Sequence, residues 1–402
     1  MNNKILSLLN NNLLTVTPSL IRSFDEETSK IPGIIKLTLG EPNFNTPSHI
    51  KISGIKAIVD NKTHYAPNRG IFELREAISH YLQRHYNLTY NPKSQIIVTN
   101  GASEAISTAM NAFLQKEDVV LCPAPAFGLY KNLAEINGAK YIEIDTEENN
   151  YKLTPEKLTK YLKKYCDKVK MVILNYPNNP TGITYSENEI KRFADVLRQF
   201  SVVVLSDEVY SEFSYKERHT SFSQYLPEQT ILVNSVSKSY AMTGWRVGYL
   251  CGPTEIISNL GKVHQANIAT IGTMNMFAAT EALNNGDLDI QKMKLDYKKI
   301  RDFVCKKLKK IGYKIAPAEG AFYVYVKIPT DFKGTSIDYA RQLAQKAHVA
   351  VIPGAAFVKG DQRSFRISYA ASIKDLTKAL DNLEEFTARR QSNGQNNSLS
   401  CS

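Results

Sequence analysis

Lys238 stands in the run Ser235-Val236-Ser237-Lys238-Ser239, and Arg246 follows eight residues later in Thr243-Gly244-Trp245-Arg246-Val247-Gly248. A primary amine can add to a carbonyl carbon or carry a proton. Hydroxyls beside a guanidinium suit a phosphate group, because a dianion takes hydroxyl donors and a planar cationic fork together. Glycines in the same stretch permit close backbone approach. Lys238 also follows the β-branched run TILVNS (230–235), and open α/β sheets bind ligands just beyond their strand ends. Alone, a lysine between serines is an ordinary solvated loop lysine. The whole pattern argues otherwise.

Further segments carry groups of the same kind. Thr99-Asn100-Gly101-Ala102-Ser103-Glu104 runs from a strand into a helix, where unpaired amides at the helix start can hold an anion. Read singly, Ser103 is a helix cap, Phe127 in PAPAFGLY (123–130) a core phenylalanine, and Asn179 in NYPNNPTG (175–182) part of a turn. Asp207 and Tyr210 lie in DEVY, directly after the strand SVVVL, where a lone acid would be a loop cap. Arg366 in FRIS presents a fork that grips a carboxylate better than a lysine would. Gly40 in LTLGEPNF and Tyr65 in YAPNRG carry no mark of their own.

In this order, from about Leu37 to Ala370, these segments resemble the class I/II aminotransferases of fold-type I, which use pyridoxal 5'-phosphate (PLP). The resemblance implies that Lys238 bonds the cofactor aldehyde and that Ala102, Ser103, Ser235, Ser237 and Arg246 hold its phosphate. It puts Phe127 over the ring face, Asp207 against the ring nitrogen, and Asn179 and Tyr210 at the phenolate oxygen. A carboxylate there favours the protonated nitrogen and makes the ring an electron sink. Arg366 would grip the substrate carboxylate, with Asn179 and the Gly40 backbone beside it. Tyr65 would reach the phosphate of a neighbouring chain, which implies a homodimer with shared active sites. Lys238, Asp207 and Tyr210 are the expected catalytic set, with no metal.

Some aspartate-using relatives carry a lysine where Ser103 stands. The stretches IPGIIKLT (31–38) and THYAPNRG (63–70) are similar to the bacterial branch of aromatic and broad-specificity enzymes. An aromatic or broad L-amino acid donor with 2-oxoglutarate as acceptor is therefore expected. An aspartate or N-acetyl-diaminopimelate aminotransferase, a C–S β-lyase and a non-catalytic PLP-binding regulator are the alternatives.

Such a site needs rigid elements around it. Short β-branched runs at 95–99, 119–122, 140–144, 169–174, 201–206, 230–235 and 247–250 alternate with helical patterns at 72–86, 103–115, 127–137, 155–165 and 187–199. Strands of this kind are buried on both faces of a mostly parallel sheet. The expected fold is α/β: a large PLP-binding domain over 51–285 with a mostly parallel seven-stranded sheet between helices. The strand after Arg246 is open to running antiparallel. A smaller α+β domain over 286–390 would also take in the N-terminal segment 1–50 and so draw on both chain ends. The polar tail RRQSNGQNNSLSCS lacks an apolar anchor, and residues 391–402 are expected to be disordered.

A chain of 402 residues suits two domains. Its formal charge of +11 is spread along helices rather than gathered into one arm, which argues against nucleic-acid binding. Cysteines 122, 166, 251, 305 and 401 have neither disulfide nor zinc spacing. The first sixteen residues make a poor signal peptide, and no run is apolar enough to span a bilayer, so neither a membrane nor export is expected. The expected location is the cytoplasm.

Overall fold

A computed structural model describes residues 3–360 and 363–399 of the chain. In chain order its strands are β1 Ile35–Lys36, β2 Ile96–Thr99, β3 Val119–Ala124, β4 Lys140–Asp145, β5 Val169–Asn175 and β6 Val203–Asp207. They continue with β7 Thr230–Ser235, β8 Gly248–Cys251, β9 Tyr323–Lys327, β10 Val349–Ala350, β11 Ile352–Pro353 and β12 Ser364–Ser368.

Seven of these form the large sheet, in the order β2-β8-β7-β6-β5-β3-β4. The pairs from β4 to β7 are parallel, and β8 runs antiparallel to both β7 and β2. Side chains alternate between two covered faces. Ile97, Val120, Ile173, Leu205, Val233 and Leu250 pack under the helices Gly101–Phe113, Leu129–Ile136 and Thr254–Ile268. On the other face, Leu121, Val172 and Val204 meet the helices Pro155–Tyr165 and Glu187–Leu197, while Ile96, Val98 and Tyr249 meet Phe72–Tyr86 and Thr273–Asn285. Burial on both sides explains the near-continuous apolar runs in the sequence. The edge strand β4 is half exposed, as an uncovered margin should be.

The smaller domain has an antiparallel sheet, β11-β12-β9, and a parallel pair of β1 with β10. Through β1 the N-terminal segment enters this domain, and Ser368 N–H donates to Leu37 O at 2.9 Å. Both chain ends therefore build it. Only Ile35 and Lys36 of the run IKLTLG form a ladder, and the rest is led away to the site. The long helix Asp287–Ile311 carries the chain from one domain to the other.

The last helix spans Ile373–Leu399, so most of the segment expected to be disordered is helical, and 400–402 lie outside the described residues. The cause is cooperativity: a helix already nucleated by its packed first turns propagates at little cost through polar residues. Among the described residues no helix is long and apolar enough to cross a membrane.

Candidate active site

Three chain segments meet in one row of the sheet: Gly248 lies opposite both Thr99 on β2 and Ser235 on β7. A Cβ on Gly248 would stand 2.5 Å from the Gly101 carbonyl carbon and 2.6 Å from Ala102 N. Only glycine lets the start of the helix Gly101–Phe113 come this close. The row thus sets Ala102 and Ser103, at a helix N-terminus, beside buried Ser235 and Ser237. Arg246 closes the row with a left-handed backbone (φ 55°). Its guanidinium donates to Asn100 O at 3.3 Å and Thr243 O at 3.1 Å.

One turn past β7, the Lys238 ammonium donates to Gly40 O at 2.7 Å. Burial pulls its pKa down to about 8, with Arg246 and Arg366 pulling the same way and Glu41 and Asp207 opposing. Asp207 ends the neighbouring strand β6, only 3 % exposed. Its Oδ2 accepts from Tyr130 Oη at 2.5 Å, while its Oδ1 has a single 3.3 Å bond from Val209 N–H. Burial pushes its pKa up to about 6; the Tyr130 and Val209 bonds and Lys238 act against that rise. Phe127 sits edge-on to Tyr130, with ring centroids 5.9 Å apart.

The smaller domain supplies the opposite wall. Arg366, on β12 and 1 % exposed, donates to Asn179 Oδ1 at 2.8 Å and to Thr38 O. Its guanidinium lies 4.4 Å from the Tyr323 ring centroid and 5.0 Å from that of Phe357. The Tyr323 hydroxyl meets that of Tyr210 at 2.7 Å. A Cβ on Gly40 would lie 1.9 Å from the Tyr323 hydroxyl, so position 40 must be glycine for this wall to close.

Gly40, Asp207, Arg246 and Arg366 act on the Lys238 amine, and Asn179 and Tyr210 join them through Arg366 and Tyr323. Tyr65 is 94 % exposed. Four contributors were not singled out from sequence: Tyr130, Thr38, Tyr323 and Phe357. Tyr130 lies three residues beyond Phe127, and the alternation of FYVYV marks Tyr323 and Tyr325 as sharing a face.

The sequence pattern of the family "Aminotransferase class I and II" matches residues 32–383. A probable N-acetyl-LL-diaminopimelate aminotransferase of Bacillus subtilis is 39% identical over 384 residues, covering 96% of this chain and 97% of its own. The chain belongs to the class I and II aminotransferases.

An aminotransferase of this family uses PLP to move an amino group between an amino acid and a 2-oxo acid. Other relatives carry different substrate names. An aspartate aminotransferase of Pyrococcus horikoshii is 37% identical over 381 residues, 93% of this chain and 95% of its own. The crystal structure of an aromatic aminotransferase from Pyrococcus horikoshii superposes with a TM-score of 0.85 at 35% identity, over 92% of this chain and 99% of that one.

The geometry of this aminotransferase fits the cofactor. The buried Asp207 carboxylate has no ion-pair partner among the described residues and keeps acceptor capacity on Oδ1, which suits a cationic ring N–H. Arg366 is a buried cation whose Nε has no hydrogen-bond partner among the described residues, which suits an incoming carboxylate.

Proposed function

We propose that this aminotransferase takes an aromatic or broad range of L-amino acids as donor and 2-oxoglutarate as acceptor, with Lys238 as the residue that bonds PLP. The observation that carries the reading is the placing of Lys238. One buried amine feels the Asp207 carboxylate and the Arg246 and Arg366 guanidiniums together. The aromatic character of the wall about Arg366, formed by Tyr323, Phe357 and Tyr210, supports the choice of donor.

Bound there, PLP supplies an aldehyde for the amino group and a ring that withdraws electrons from the substrate Cα. Ala102, Ser103, Ser235, Ser237 and Arg246 would hold its phosphate, Phe127 would pack against its ring, Asp207 would accept from the ring N–H, and Asn179 with Tyr210 would bind its phenolate oxygen. Arg366 receives the substrate carboxylate by two parallel N–H bonds, and Asn179 and the Gly40 backbone fix its plane. That grip orients the Cα–H bond. Lys238 Nζ, as a free amine, would take the proton from the substrate Cα that this grip presents. Its lowered pKa suits this work, since a base is most effective with a pKa near the working pH.

We further read the chain as a homodimer in which Tyr65 reaches the phosphate of the neighbouring site. Its exposure, and that of the apolar Ile52, Ile55 and Val59 on the helix Ser48–Val59, support a second copy covering these residues. Location in the cytoplasm rests on cysteines without disulfide spacing.

A panel of amino donors with 2-oxoglutarate, scored for glutamate, tests the donor. Phenylalanine or tyrosine should give the highest kcat/KM. Preference for N-acetyl-LL-diaminopimelate, which the 39% identity to the Bacillus subtilis protein makes the second reading, would replace the first. Steady release of pyruvate and ammonia would move the enzyme to the lyases.

A further inference from the structure

We infer that His264 is a positioning residue that fixes the loop carrying Tyr65 against the helix start at the phosphate site. His264 is wholly buried in the helix Thr254–Ile268, and its two ring nitrogens reach the loop that carries Tyr65 and the turn that starts the helix Gly101–Phe113. Nε2 lies 2.8 Å from the backbone oxygen of Asn68, which can only accept, so Nε2 carries the proton there. Nδ1 lies 3.1 Å from Glu104 Oε1, also an acceptor, so this contact is a hydrogen bond in the ring form that carries N–H at both nitrogens. Glu104 follows Ser103 directly, and its Oε2 accepts from Asn100 N–H at 3.0 Å while its Oε1 accepts from Thr108 Oγ1 at 2.6 Å. The carboxylate therefore ties down the turn from β2 into the helix, and the imidazole ties the carboxylate to the loop.

The same loop is strapped along its length to the end of the helix Thr254–Ile268 and the residues just beyond it. Asn68 Nδ2 donates to Ala269 O at 2.6 Å, Thr270 Oγ1 to Pro67 O at 3.3 Å, and Thr273 Oγ1 to His64 O at 2.6 Å. All of these bonds except that of His264 lie at the exposed margin, where water competes. The His264 bonds are part-buried, and together with the backbone bond from Val98 N–H to Arg69 O at 3.1 Å they tie this loop to β2 and to the Glu104 turn that follows it.

The inference rests on the reading that Tyr65 holds the phosphate of the neighbouring chain's cofactor while the 101–103 helix start holds that of its own chain. Removing the bridge should therefore loosen one phosphate contact at each of the two sites without touching the reacting atoms. His264→Gln should therefore loosen PLP, raising its dissociation constant by about tenfold or more, the scale of a hydrogen bond between a buried ring and a charged group. At saturating PLP its kcat should stay within about twofold of wild type, on the same scale of argument.

The experiment is equilibrium dialysis of the dimeric holoenzyme, reading PLP loss by absorbance, for wild type, His264→Gln, Tyr65→Phe and the double variant. If His264 acts through the loop, the double variant binds PLP about as weakly as the weaker single variant. Additive losses, or His264→Gln holding PLP as tightly as wild type, would overturn the inference. Normal retention in Tyr65→Phe would instead remove the reading of Tyr65 and leave a role through Glu104, tested by the His264→Gln result alone. Should His264→Gln not fold, Glu104→Ala removes the group that Nδ1 faces and must weaken PLP in its place; normal retention by that variant would also refute the bridge.

Discussion

Tyr130 Oη donates to Asp207 Oδ2 across 2.5 Å, and both groups are buried. Burial alone would favour the neutral acid, and this bond helps hold the carboxylate charged. Tyr130→Phe leaves the packing and removes the donor. Asp207, already pushed up to about 6, should then hold its proton to still higher pH. The acid limb of the kcat/KM profile should move upward by about one unit, since a hydrogen bond to a charged group contributes roughly 1.5–3 kcal/mol and part of that is recovered by relaxation. The pH dependence of kcat/KM checks the direction: a limb that stays put or moves down would separate Tyr130 from the charge on Asp207.

Asp207→Ala removes the carboxylate itself. The rate should fall by about 10²-fold or more, the scale of a lost preorganised electrostatic partner. Single-turnover kinetics with PLP-saturated enzyme give this number directly, and a near-normal rate would mean that another group serves the ring nitrogen.

Lys238→Ala should retain some PLP noncovalently and lose turnover. In the cofactor-free wild type, the amine should react with PLP at a rate that rises through pH about 8, well below the ordinary lysine range, because burial favours its neutral form. The growth of the Schiff-base absorbance against pH measures this. Steady transamination by Lys238→Ala would contradict the assignment.

Arg366→Lys keeps the charge but loses the fork and the stacking on Tyr323 and Phe357. The loss in kcat/KM should be about 10²-fold, as expected when one partner of a buried, hydrogen-bonded charge pair is weakened. The same variant should respond less to amines that lack a carboxylate. Equal losses for both substrate types would show that Arg366 acts on the fold instead.

Gly40→Ala brings a methyl group onto the Tyr323 hydroxyl, whose position is fixed by Tyr210. The wall must open and carry the Gly40 carbonyl away from Lys238. A destabilisation of about 1–3 kcal/mol from overpacking is expected, together with a lower kcat. Thermal melting and steady-state kinetics read the two effects separately.

Much of the candidate site's placement was legible because strand ends are marked by where β-branched runs stop. Lys238, Asp207, Asn179 and Ser103 all follow such runs directly or within a few residues. Arg366 was legible by its motif, yet it lies within β12 rather than beyond its end. Tyr130 escaped notice because a tyrosine three residues past Phe127 reads equally well as packing against the sheet. Thr38 contributes only a backbone oxygen, which no side-chain type announces.

The sequence by itself determined which groups are present, their order, and the alternation of strands and helices that makes a covered parallel sheet. Local apolar periodicity and strand limits are properties of neighbouring residues, so they survive in a linear reading. Only the tertiary structure decided that Gly248 faces Thr99 and Ser235 in one row, that Tyr323 fills the space a Cβ on Gly40 would take, and that His264 lies between Glu104 and Asn68. Those relations join residues far apart in the chain, and what fixes them is strand pairing and side-chain packing within each domain rather than any spacing along the chain.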